Sequence, residues 1–310
     1  MALRAATTFY WRGTGGTAYN ASNNWVITGG GAPDADDYPG WDNSEPGNVD
    51  GDIVMFDAAI TNAPGGGDYS AVGDLAAIKV SNLYNKHIAS TATPLQVDMQ
   101  ATGQVLIDAD AATPHIALKG GGANGLVNVT VLGVNLGSML YLDGTIKGLL
   151  AVKGAITLRA TADLSGGTMT VAYHTSIFSD VTLTITAGAV LPAIVQVLGG
   201  TTTCNVACTT LNMDGGLWTQ VAGNVTLLNL TGATAEFRWN AGNITTAHAF
   251  GILNASLSAT LRTCTTLYQY AGSQVNINNS LKGITITTWH FMVENPNLRV
   301  VPGQTIAIAG

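Results

Sequence analysis

From about residue 76 onward, short runs alternate apolar and polar positions, and Gly, Asn and Thr separate them. Ala77 to Val80, Leu95 to Met99, Gln104 to Ile107, Val127 to Val131 and Met139 to Leu142 are such runs. So are Ala155 to Leu158, Val181 to Ile185, Val225 to Leu228, Ala235 to Trp239 and Ile284 to Thr287. An alternation of period two, broken by turn residues, predicts strands. No stripe at i, i+3, i+4 persists past two turns, so helices are not expected. Phrases also recur. Leu211-Asn212-Met213, Leu228-Asn229-Leu230 and Leu253-Asn254 open similar stretches, at intervals of 17 and then 25 residues. Ala222-Gly223-Asn224, Ala241-Gly242-Asn243 and Ala271-Gly272-Ser273 follow them. A drifting period with a mean near 21 predicts an all-β solenoid, whose coils share strands but tolerate unequal loops. Residues 76–289 would then form about ten coils.

Residues 1–75 have another texture. No Lys or Arg lies between Arg12 and Lys79, yet ten of the chain's 19 acids fall there. Trp11, Trp25 and Trp41 lie in this segment, and Pro33, Pro39, Pro46 and Pro64 break it into loops. It reads as an irregular N-terminal cap and attachment segment, because an open solenoid end would expose unpaired strand edges. Two strands stand out within it, Thr8 to Trp11 and Asp52 to Asp57, the second with the apolar pattern of a strand covered on both faces. Residues 290–310 read as closing strands, Leu298 to Val301 and Thr305 to Ala309, around Pro302-Gly303.

Composition narrows the function. Only 10% of residues are charged, far below the usual quarter, and the net charge is −7. The chain has no basic stripe, which argues against nucleic acid and anionic membrane as partners. No run reaches the ~18 apolar residues of a membrane span. The first eleven residues lack the apolar core of a signal peptide, so synthesis in a host cytoplasm without export is the expectation. The cysteines Cys204, Cys208 and Cys264 are odd in number, which rules out full intrachain pairing. They are expected to be reduced and buried, with Cys204 and Cys208 on one strand face.

Catalytic candidates are sparse. Glycan-cleaving solenoids need carboxylates converging on one face. Here the coils offer Asp98, Asp108, Asp110, Asp143, Asp163, Asp180, Asp214 and Glu236. Asp108 with Asp110 could form a pair, but a polar strand end is the preferred reading. Glu236 and Arg238 are expected to form a surface ion pair. His87, His115, His174, His248 and His290 show no metal-ligand spacing. Asp34, Asp36 and Asp37, or Asn48, Asp50 and Asp52, offer oxygen ligands at alternating positions but fit no helix-loop-helix calcium pattern. Nucleophile-elbow and phosphate-loop motifs are absent. The expectation is a non-enzyme with no catalytic, cofactor or metal residues and no cofactor.

The N-terminal residues carry a resemblance. Trp11-Arg12-Gly13-Thr14-Gly15-Gly16, Asn23-Asn24-Trp25, Pro46-Gly47 and Gly51-Asp52-Ile53-Val54-Met55-Phe56-Asp57 resemble the opening of right-handed β-helix proteins with autotransporter-type repeats. Such openings occur in structural proteins of tailed bacteriophages and in bacterial surface proteins. The resemblance covers about 50 residues well. It implies a right-handed parallel β-helix whose tryptophans plug the first coil, and a virion structural protein. Capsid decoration is the preferred role, through attachment of residues 1–75 to the major capsid protein or another virion protein, and the weakly charged flanks, with three acids and four bases from Val181 to Gly310, predict a homotrimer. A tailspike that binds or cleaves host glycans and a bacterial surface adhesin are the rivals.

Overall fold

The computed structural model of the chain describes all residues except 1–4, 15, 28–36, 43–46, 59, 61, 110–114, 135–138, 172–180, 257–260, 278–283, 293–296 and 300–310. The expected closing strand at Thr305 to Ala309 lies outside the described residues. Two compact units meet in sequence at Gly167 and Thr168. Apart from one 3-10 turn at Ser22–Asn24, the regular structure described is strand. The chain forms the all-β parallel β-helix expected from its sequence. Each coil contributes one strand to a first sheet and the next strand to a second sheet, so neighbours in a sheet are two strands apart in the chain.

In the first unit, Thr8–Trp11 starts the stack. It pairs antiparallel with Trp25–Ile27 on one side and parallel with Ile53–Phe56 on the other. Ile53–Phe56, Leu75–Val80, Met99–Ala109, Val129–Val134 and Leu149–Ala151 then continue the first sheet in parallel. The second sheet holds Gly67–Asp68, Leu95–Val97, His115–Gly120, Met139–Gly144 and Gly154–Leu158. The strand at Ile53–Phe56 is covered on one side only. Val54 and Phe56 point inward while Ile53 and Met55 stay half-exposed, which corrects the two-faced reading.

The N-terminal plug is aromatic. Trp11 and Trp25 are fully buried and meet edge to face at 4.9 Å, and Tyr19 meets Trp25 the same way at 5.1 Å. The Trp11 indole N–H donates to the Asn62 carbonyl at 2.9 Å, and that of Trp25 to the Tyr19 carbonyl at 2.7 Å. Apolar rings thus cover the first coil while each N–H keeps a partner. Trp41 does not join the plug. It sits half-exposed on a two-residue hairpin, stacked against Tyr38.

Carboxylates hold the corners of this unit. Asp52 is fully buried and accepts backbone N–H groups of Thr7 at 2.9 Å and Gly40 at 2.8 Å. Asp98 sits at the corner between Leu95–Val97 and Met99–Ala109. It accepts four backbone N–H groups, from Met99, Ala123, Asn124 and Gly125, at 2.7 to 3.0 Å. One side chain thereby serves its own corner and a turn of the following coil, where buried N–H groups need partners. Gly122 completes the cradle. Its φ is +63°, and a Cβ there would lie 1.9 Å from the Asp98 carboxylate.

Among the described residues of the second unit seven coils stack. First-sheet strands run from Met169–Val171 through Ile194–Val197, Cys208–Met213, Val225–Leu230, Ile244–Ala249 and Arg262–Gln269 to Ile284–Phe291. Inside, Leu211, Leu228, Ala247, Leu267 and Trp289 lie in one column, all buried. The coil with Ala247, Ala249 and Ala255 is small inside. Trp239 from the coil before and Arg262 from the coil after meet beside it, with the guanidinium 5.1 Å from the indole centroid. Arg262 is fully buried and donates to the Ala255 carbonyl at 3.0 Å.

The register corrects two details of the repeat. Leu211-Asn212 and Leu228-Asn229 are paired neighbours, but Leu253-Asn254 belongs to the second sheet. The true third member is Ala247-His248. Likewise Gly223 and Gly242 turn one corner, whereas Gly272 turns the opposite one, between Arg262–Gln269 and Gln274–Asn276.

Asp98→Ala should therefore be among the most damaging corner substitutions, costing about 2–4 kcal/mol through orphaned buried N–H groups. Denaturation of the purified variant checks this. A midpoint unchanged from wild type would refute the staple.

Candidate functional site

Most carboxylates named as candidates are occupied in holding the coils. Asp143 accepts from the Thr161 hydroxyl and from Gly144 N–H at 3.0 Å, with Arg159 3.6 Å away. Asp163 accepts from Ser165 N–H at 2.9 Å, which holds its carboxyl below the usual range. Asn48, Asp50 and Asp52 take separate partners. The first donates to the Ala71 carbonyl, the second accepts from Asp74 N–H, and the third is the buried staple. Asp108 is exposed on its strand. Asp34, Asp36, Asp110, His174 and Asp180 lie outside the described residues. Asp37 is buried. Among the described residues no three His, Cys, Asp or Glu side chains converge as metal ligands.

Asp50, Asp74 and Asp98 stack on successive coils of the first unit, since Leu75 pairs with Met99 and Gly51 N–H donates to the Asp74 carbonyl. The Asp74 carboxyl is pushed up by burial, then by Asp98 and Asp50.

The histidines fall in two places. His87 and His115 stack at 5.3 Å, and His87 Nδ1 accepts from the His115 backbone N–H. Burial, then His115 and Lys86, lower the His87 pKa. His248 and His290 belong to the second unit's first sheet.

There the outward side forms three columns over six coils. Ile194, Thr210, Leu227, Thr246, Thr266 and Thr288 make the first. Gln196, Asn212, Asn229, His248, Tyr268 and His290 make the second. The third extends one position past the paired strands, with Leu198, Asp214, Thr231, Phe250, Tyr270 and Met292. Among these 18 positions Asp214 carries the one formal charge. The rings lie nearly parallel. His248 and Tyr268 stack at 4.7 Å and 4°, Tyr268 and His290 at 4.6 Å and 11°, and Phe250 and Tyr270 at 3.8 Å and 9°. His248 Nδ1 and the Tyr270 hydroxyl are 3.1 Å apart. Asn229 donates to Asn212 at 2.8 Å, continuing the ladder with amides. The sequence shows few charges here but not which residues share the face, because its members are 16 to 22 residues apart and differ in type.

Beside the third column, a groove of about 510 Å³ opens at a corner of the same unit. Backbone of Gly199, Gly200, Gly215 and Gly216 lines it with Thr201, Thr234, Asp214 and Glu236. A Cβ on Gly216 would come within 2.6 Å of the Gly200 carbonyl, so the groove floor needs glycine. Burial would raise the Glu236 carboxyl, but hydrogen bonds from Arg238 and Asn254, each at 2.9 Å, leave it below the usual range. Glu236 is thus neutralised by its partner. The groove offers acceptors and hydroxyls, the chemistry of a polar ligand site.

The cysteines do not share a strand. Cys204 ends one strand of the second sheet and Cys208 begins the next strand of the first, both facing inward. This corrects the one-face reading. All three thiols are free and buried. Burial raises Cys204 to about 11, and Cys208 and Cys264 to about 12.

Comparison of the chain with protein-family models, curated proteins and solved structures gave no match.

Two outcomes follow from these environments. Native thiols should react with alkylating reagents at pH 8 far more slowly than after denaturation, and rapid labelling of all three would refute burial. Asp74→Asn should raise stability at pH 7 slightly, since solvent screens most of the penalty at a largely exposed carboxyl. The folded pKa of Asp74 is raised, so its penalty exists once it ionises and vanishes as pH falls below the unfolded value. The gain from Asp74→Asn should accordingly fade in acid, as pH-dependent melting would show.

Proposed function

We propose that this chain is a non-enzymatic structural protein of a tailed-bacteriophage particle, made in the host cytoplasm and carried on the virion. Capsid decoration is the role preferred here, with residues 1–75 as the attachment segment toward the major capsid protein or another virion protein. The observation that carries the reading is the employment of the coil carboxylates. Asp98, Asp143, Asp163 and Glu236 are engaged by backbone, hydroxyl or Arg partners that hold turns and coils together. A glycan-cleaving site needs carboxyls left to donate and accept protons. The N-terminal resemblance to phage structural β-helices supports the virion assignment, and the Trp11–Trp25 plug gives that opening a mechanical sense.

A second reading, a glycan-binding tailspike, is favoured by the corner groove with Thr201, Thr234 and Asp214. One experiment separates them. Particles purified from the source of the chain should carry it at a fixed copy number per capsid, by quantitative mass spectrometry and cryo-electron microscopy, and the chain should leave host capsule and lipopolysaccharide intact. Absence from particles would overturn the virion role. Depolymerisation abolished by Asp214→Asn or Glu236→Gln would overturn the non-enzymatic one.

A further inference from the structure

We infer that the uncharged outward face of the second unit's first sheet is where this chain meets a second copy of itself. The inference deepens the assembly reading above and rests on it only for its biological setting.

The face combines three properties that seldom coincide on a solvated sheet. It carries one charge in 18 positions, although edges and faces left to water are normally charged. It exposes large apolar side chains at its margins, with Ile194 53%, Leu198 47%, Phe250 41% and Met292 56% accessible. And it is regular. Six coils at about 4.8 Å, with three outward positions about 6.7 Å apart, give roughly 600 Å² of flat face. Side-chain relief adds to that, and each partner in a standard interface contributes about 800 Å².

The ring geometry selects the occupant. A sugar stacks on the open face of an aromatic ring. Here the ring faces are turned on one another, at 3.8 Å for Phe250 and Tyr270 and 4.7 Å for His248 and Tyr268. What points outward is ring edges, hydroxyls and amides. Ring edges suit edge-to-face packing against other aromatics, and Thr and Asn columns suit hydrogen bonds to like columns. A second copy supplies both. It also brings no opposing field, since the face is nearly neutral and like meets like at little electrostatic cost.

The test uses the full chain. Light scattering at about 10 μM should give a multiple of the 31.8 kDa protomer. Thr246→Arg with Phe250→Asp should weaken self-association by about 30-fold or more, the scale of a lost central contact, with circular dichroism unchanged. Asn276→Arg, on the second sheet, should leave the multimer intact. If the double variant does not fold, Thr246→Cys replaces it. Maleimide should label that thiol quickly in dilute protein and slowly in concentrated protein, against the three buried native thiols. A wild-type monomer, a multimer indifferent to the double variant, or labelling independent of concentration would overturn the inference. So would a monomer that binds glycans in a Phe250-dependent way. A monomer found on particles would sink this interface and leave the virion reading standing. A multimer missing from particles would do the reverse.

Discussion

The constraint on which the rest depends is that every coil must return its backbone to the same place, about 4.8 Å further on. Parallel ladders satisfy the strand N–H and C=O groups, but corners cannot use them. This chain closes its corners with two devices. Glycines with positive φ stand where a side chain would strike the coil below. Gly242 is such a case, with φ +76° and a Cβ position 1.8 Å from the Gly223 carbonyl. Side-chain oxygens then take up the N–H groups that the turn strands. Asp98 does this for four of them. Asn224 and Asn243 do it for Asn243 and Thr263 in turn, at 2.8 and 3.0 Å.

That constraint explains the scarcity of charge. A side chain on a coil either faces a core two strands thick or stands in a column of near-identical neighbours. Charges repeated down a column repel, and at Asp74 this adds to burial, the larger cause, in raising the carboxyl. Neutral residues avoid the problem. Thr, Asn and aromatic columns gain from stacking instead, through hydroxyl and amide bonds or ring contacts.

Much of the fold was legible because alternation and turn residues are local signals. Thr8–Trp11 and Ile53–Phe56 stand where the pattern put them. What failed was phase. Leu253-Asn254 matches Leu228-Asn229 by letter, yet the chain reaches its true counterpart sooner, at Ala247-His248. Coil length varies with loop length, and a phrase that fits both sheets cannot announce which sheet it joins. The Cys204 and Cys208 reading failed for the same reason, since a corner lies between them. The outward face was hidden more deeply. His248, Tyr268 and His290 become one ladder only when the register sets them side by side.

Uneven coils have a last consequence. A strict repeat would place the same side chain in every layer and fix the core volume. Here the inner column runs Leu211, Leu228, Ala247, Leu267, Trp289, so volume must be rebalanced from layer to layer. The coil of Ala247, Ala249 and Ala255 carries small side chains, and the buried Trp239 and Arg262 from the coils on either side lie against one another, 5.1 Å apart. Burial lowers the Arg262 pKa to about 10, so the fold carries a guanidinium at a cost that a Leu or Met of similar volume would not impose. Apolar filling would serve stability as well or better. The cation instead brings direction, with a hydrogen bond to the Ala255 carbonyl and an indole ring to lie against, contacts that an apolar side chain would not make.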